Sequence, residues 1–146
     1  MRTRDGGYST RMQVQPIDPV LASLRDVLQD DPELLLAYAF GSLASGRASL
    51  DSDADVAVLG ARPLNVERRR ELIRSVAQVT GRPVDLVDLH DAGMPLLRII
   101  LTEGRELFCR DRREKDRIVA KMLADVEDFL PLRRRMLRER RERWIG

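Results

Sequence analysis

Glycine and serine at positions 41 and 42, ten intervening residues, and then aspartates at 53 and 55 form the segment whose residue types and spacing suit chemistry on phosphate. Gly41 lets the backbone approach an anion closely, and the Ser42 hydroxyl with its neighbouring N–H groups can donate hydrogen bonds to phosphate oxygens. On a β-strand, Asp53 and Asp55 would project from one face with their backbones roughly 6–7 Å apart. A third carboxylate, Asp85, stands at the start of the next strand pattern, and a neighbouring strand about 4.8 Å away would bring it against the same pair. Three carboxylates beside a phosphate-binding turn suit a two-metal displacement at phosphorus, and their mutual repulsion calls for cations. An isolated Asp-x-Asp pair often only solubilises a strand end, so the weight rests on the whole arrangement.

The elements that must position these residues follow from periodicity. Asp18 and Pro19 cap a short amphipathic helix through Leu21, Leu24 and Leu28, ending near Asp30. The run LLLAYAF, Leu34 to Phe40, reads as a buried strand that stops at Gly41. GSLASGRASLDS reads as a loop, and Asp53 to Leu59 as a second strand with one end exposed. Residues 64–79 form a helix whose apolar stripe carries Leu64, Leu72, Ile73, Val76 and Val79. Arg68, Arg69, Arg70 and Glu71 lie opposite, and Gly81 ends the helix. A third strand from Pro83 to Leu89, a helix from Pro95 to Thr102, and a peripheral strand from Arg105 to Cys109 come next. The remainder, Asp111 to Arg143, is mainly helical, with Ile118, Met122, Val126 and Phe129 on one stripe and a break at Pro131. This order predicts one α/β or α+β domain with a small mixed sheet flanked by helices. The coverage expected is mainly on one side, leaving the other for a cleft. We divide the chain into a flexible terminus over 1–15, a core over 16–110 and a C-terminal helical segment over 111–146.

Composition narrows the chemistry. The 146 residues are 43% hydrophobic and 34% charged, which excludes a disordered chain and any membrane span of about 20 apolar residues. Aromatics at 4% disfavour a surface that stacks nucleic-acid bases. One cysteine, Cys109, and one histidine, His90, leave too few ligands for a Cys/His zinc site, so a metal would be held by carboxylate oxygen, which suits magnesium or manganese. The N-terminal arginines precede no apolar stretch, and the expectation is a cytoplasmic protein. Residues 110–146 hold 13 basic against 8 acidic residues, while residues 1–109 hold 13 against 16.

The Gly41-Ser42, ten-residue, Asp53-x-Asp55 arrangement resembles the signature of the minimal nucleotidyltransferases of the DNA polymerase β and kanamycin nucleotidyltransferase-like superfamily. PVDLVDLHDAGMPLLRIILTEGRELFCRD, Pro83 to Asp111, is similar to the downstream half of the MntA-type antitoxin family. The resemblance implies a nucleotidyltransferase domain in which Gly41 and Ser42 bind the triphosphate of ATP. Asp53 and Asp55 would hold two Mg²⁺ ions, with Mn²⁺ as a substitute, and Asp85 would complete the metal site and help activate the acceptor. The implied reaction is transfer of AMP to a tyrosine of a cognate HEPN-domain ribonuclease toxin, which silences it. Two positions depart from the pattern. Leu43 stands where many relatives have arginine, making Arg47 the nearest cation for the nucleotide, and Ala54 replaces a larger aliphatic residue.

Other residues invite weaker readings. Asp51 reads as a turn residue, Asp88 as facing away from Asp85 on the same strand, His90 as a loop or cap residue, and Cys109 as a small buried hydrophobe. The tail from Arg133 to Trp144 has seven arginines against two glutamates. It reads as a solvated helix face or a partner-docking helix more than as a nucleic-acid contact. The alternatives to a protein-modifying enzyme are a nucleotidyltransferase acting on a small molecule or an RNA end, and a non-catalytic antitoxin that masks its toxin.

Overall fold

The computed structural model describes residues 18–46 and 52–124. Its elements in chain order are α1 (Pro19–Gln29), β1 (Leu34–Phe40), α2 (Ser42–Ser45), β2 (Ala54–Gly60), α3 (Val66–Thr80), β3 (Val84–Asp88), α4 (Met94–Glu103), β4 (Arg105–Cys109) and α5 over 112–124. The strands form one mixed sheet in the order β3-β2-β1-β4. β1 is antiparallel to both β2 and β4, and β3 is parallel to β2.

Local chemistry sets the boundaries. The Asp18 side chain accepts a hydrogen bond from the Val20 N–H and so caps α1 just before Pro19. Asn65 caps α3 by accepting from Arg68, and Gly81 closes it in a left-handed conformation with φ 66°. The C-terminal end of α1 is closed from a distance. Arg110 Nη1 donates to the carbonyls of Asp31 at 2.7 Å and Leu34 at 2.8 Å, Nη2 donates to that of Gln29, and the guanidinium lies over the Phe108 ring.

The sheet is covered on both faces, which corrects the expectation of one free face. On one side Leu21, Leu24 and Leu28 of α1 and Leu72 and Val76 of α3 pack against Ala37, Ala39, Val56, Val58 and Leu86. On the other, Leu97 and Ile100 of α4 and Ile118 and Met122 of α5 pack against Leu36, Tyr38, Phe40, Ala57 and Leu59. A register shift between Leu34 and Leu36 puts Leu34 on the α1/α3 side with Ala37 and Ala39, so one strand supplies large apolar side chains to both layers. With both faces covered, the exposed residues Gly41, Asp53 and Asp85 lie at the strand ends.

Three further expectations change. The segment after Gly41 was expected to be loop throughout, yet it contains α2, anchored by the buried Leu43. Arg68 and Arg69 do not belong to a solvated face. Arg68 pairs with Asp31 and with Glu71, and Arg69 Nη1 donates to the Leu86 carbonyl at 2.8 Å. Val79, placed on the apolar stripe, is 43% exposed. Of the C-terminal stripe, Ile118 and Met122 are buried, whereas Val126, Phe129, the break at Pro131 and the arginine-rich tail lie outside the described residues.

Candidate active site

The site is built at one edge of the sheet, where β1 ends and β2 and β3 begin. Strand parity decides which carboxylates share a face. In β2, Ala54, Val56 and Val58 enter the α1/α3 layer, while Ala57 and Leu59 enter the α4/α5 layer. Asp55 and Asp53 therefore lie on the α4/α5 side. In β3, Leu86 enters the α1/α3 layer, which puts Asp85 on the same side as Asp55. The parallel register pairs Asp55 directly with Asp85, and the antiparallel register pairs it with Phe40. Gly41, the residue after Phe40, consequently sits over the Asp55 carboxylate.

That proximity explains the glycine. Gly41 has φ 66°, which disfavours any side chain, and a Cβ built on it would stand 2.3 Å from Asp55 Oδ2. The Gly41 carbonyl accepts from the N–H groups of Ala44 and Ser45, which starts α2 directly at the turn and leaves Ser42, the residue after Gly41, half-buried. Leu43 points into the core. The departure from arginine at this position gives the turn an apolar anchor, while Arg47, the expected alternative cation, lies outside the described residues. Ala54, the second departure, is fully buried behind the site in the α1/α3 layer.

The electrostatics are unbalanced. Asp55 titrates above the ordinary carboxylate range because of partial burial first, and then because of the charges of Asp85 and Asp53. Among the described residues, no hydrogen bond or ion pair holds any of these three carboxylates. Nor do any three His, Cys, Asp or Glu side chains there close into a ready metal cage. The donor set is still that of a hard cation: carboxylate oxygens on one face, with Asp53 and Asp85 exposed and able to turn. The like-charge repulsion on Asp55 is what a bound divalent ion would relieve.

Asp88 and His90 sort as expected, whereas Cys109 is less buried than expected. Asp88 is buried on the opposite face, where its carboxylate accepts from the N–H groups of Leu64 at 2.8 Å and His90 at 2.9 Å. It organises the loops around the far end of β3. His90 is held by Nε2 to the Gly60 carbonyl at 2.9 Å, a loop role. Cys109 is half-buried at the rim of the α4/α5 core, and Asp51 lies outside the described residues. Two surface hollows of about 600 Å³ each, lined by residues such as Val27, Asp30 and Val79, lie beside α1 and hold none of the site residues. No helix among the described residues is long and apolar enough to cross a membrane. Residue-type reasoning had no means of finding Arg82, which contacts the carbonyl of Ser52, the residue before Asp53. A side-chain contact to a backbone 30 residues away has no periodic signature.

Residues 22–113 match the family described as polymerase beta, nucleotidyltransferase. Protein adenylyltransferase MntA of Shewanella oneidensis is 37% identical over 97 residues, which cover 66% of this chain and 68% of that protein. A chain in the crystal structure of a toxin–antitoxin with AMP-PNP superposes with a TM-score of 0.67 at 29% identity, over 82% of this chain and 96% of that one. A chain in the complex of tri-AMPylated Shewanella oneidensis HEPN toxin with MNT antitoxin superposes with a TM-score of 0.62 at 27% identity, over 82% and 94% respectively.

Proposed function

Because the chain belongs to the polymerase beta nucleotidyltransferase family, we propose that it is a Mg²⁺-dependent protein adenylyltransferase that moves AMP from ATP to a tyrosine of a cognate HEPN-domain toxin. The observation that carries this reading is the register of Asp55 against Asp85 beneath Gly41. Likeness to MntA supports the choice of a protein acceptor, and the tri-AMPylated toxin in the related complex supports the choice of a HEPN toxin as that acceptor.

Each residue has a part in this reading. Gly41 and Ser42 cradle the triphosphate, with the missing side chain of Gly41 allowing close approach and the Ser42 hydroxyl donating to a phosphate oxygen. Arg47 is the proposed cation for the same phosphates. Asp53 and Asp55 would hold the divalent ions, with Asp85 as the third carboxylate. Such ions, when bound, supply Lewis-acid polarisation of the α-phosphate and neutralise its charge. Asp85 also helps remove the acceptor proton. The acceptor oxygen forms a bond to the α-phosphorus as the bond from that phosphorus to the β-phosphate bridging oxygen breaks, and pyrophosphate carries away the electron pair.

Incubation of the purified chain with ATP, Mg²⁺ and a cognate HEPN-domain protein should raise the mass of that protein by whole AMP units, read by intact-mass spectrometry. Substitution Asp53→Ala/Asp55→Ala should lower the rate by about a thousandfold or more, the loss expected when several kcal/mol of charge stabilisation disappear. An unmodified partner with the native chain would refute a protein acceptor, and a fully active double variant would remove these carboxylates from the chemistry.

A further inference from the structure

Asp53 occupies an exposed position just outside β2, beside two other acids, and no side-chain partner among the described residues restrains it. Its backbone, by contrast, is tied on both sides. The Ala54 N–H donates to the Pro83 carbonyl at 2.7 Å, and Arg82 Nη1 donates to the Ser52 carbonyl at 3.2 Å. Arg82 is itself anchored, because its N–H donates to Thr80 Oγ1 at 3.3 Å while that hydroxyl donates to the Val76 carbonyl at 2.8 Å in the last turn of α3. A continuous chain of hydrogen bonds thus runs from a helix packed in the core to the peptide that precedes Asp53.

We propose that Arg82 is a positioning residue for the transfer reaction, fixing the peptide before Asp53 so that this carboxylate is held toward Asp55 and Asp85 against their repulsion. The inference rests on the reading of Asp53 as a metal-binding carboxylate. Arginine suits the task because its guanidinium keeps its charge and offers several donors in a fixed plane, while its stem reaches across two strand starts. Arg82 does not touch substrate in this scheme, and its effect passes through Asp53.

The test compares the native chain with Arg82→Gln, Arg82→Lys and Asp53→Ala. Three quantities are read: Mn²⁺ binding by electron paramagnetic resonance in the presence of a non-hydrolysable ATP analogue, AMP transfer over a range of Mg²⁺ concentrations, and the thermal midpoint without metal. Arg82→Gln should weaken Mn²⁺ binding and raise the half-saturating Mg²⁺ by about tenfold, the usual scale for removing a group that orients a ligand. The rate at saturating Mg²⁺ and the thermal midpoint should stay close to native, and Arg82→Lys should recover part of the loss. In the Asp53→Ala background, Arg82→Gln should add no further loss of metal binding.

Unchanged Mn²⁺ binding in a folded Arg82→Gln variant would overturn the proposal. A loss of the same size with and without Asp53 would overturn it as well. If the native chain transfers no AMP yet binds Mn²⁺ through Asp53, and Arg82→Gln weakens that binding, the transfer reaction fails and the positioning role stands.

Discussion

Asp85 and Asp88 lie three residues apart on β3 and serve opposite purposes. Asp88, turned toward the α1/α3 layer and buried, is saturated by two backbone N–H donors. Asp85, turned to the other side at the strand's beginning, faces Asp55 in register, with Asp53 close enough to add its charge. One end of the sheet spends its carboxylate on structure and balances it. The other gathers three and leaves them unbalanced. A fold optimised only for stability would not assemble like charges without partners, and this contrast is what supports the proposed site at the Gly41 end.

Breaking the contrast at each end should have different consequences. The largest stability loss is expected from Asp88→Ala. It strands the Leu64 and His90 N–H groups and should cost about 2–4 kcal/mol, read by denaturant unfolding. Gly41→Ala should cost about 1–3 kcal/mol from its positive-φ, glycine-favouring backbone alone. Because the new Cβ would also displace the Asp55 carboxylate, AMP transfer should fall further than stability does.

Asp55→Asn sharpens the comparison by its sign. The raised pKa of Asp55 means that its ionised form is disfavoured in the folded state. Stability linked to this group is therefore gained as pH falls through its folded value toward the unfolded one, and is missing at neutral pH. The Asn variant should melt at a higher temperature than the native chain at pH 7 without divalent ions, while losing transfer.

A smaller effect is expected at the Tyr38–Glu106–Lys115 cluster between β1, β4 and α5, where Lys115 Nζ donates to Glu106 Oε1 at 2.6 Å and the Tyr38 hydroxyl donates to the same oxygen at 3.5 Å. Burial raises Tyr38, and the hydrogen bond with Glu106 raises Lys115. Both contributions to stability are complete below the unfolded pKa values of about 10 and are lost as pH rises through the folded ones. Alkaline melting curves should therefore fall above about pH 10, and less so in Glu106→Gln.

Much of this was legible in the residues. The run Leu34 to Phe40 has the same limits in the structure, because a continuous apolar stretch ended by glycine leaves little choice. Alternation alone set Asp53, Asp55 and Asp85 on one face and Asp88 on the other. Coverage of the second face was not legible, since it depends on where α4 and α5 run after leaving the sheet. Arg68 and Arg69 also misled, because a helical charge run looks solvated until its particular acceptors, Asp31 and the Leu86 carbonyl, are placed beside it. Leu43 reads only as a departure from arginine, and its burial as an anchor of the turn was not legible.

The most direct test of catalysis by the unbalanced carboxylates is the mass of the HEPN toxin recovered from cells that co-express it with this chain or with Asp53→Ala/Asp55→Ala. The account predicts toxin carrying AMP and growing cells with the native chain, and unmodified toxin with arrested growth for the double variant. Full neutralisation by the double variant with unmodified toxin would contradict it and make masking the mechanism.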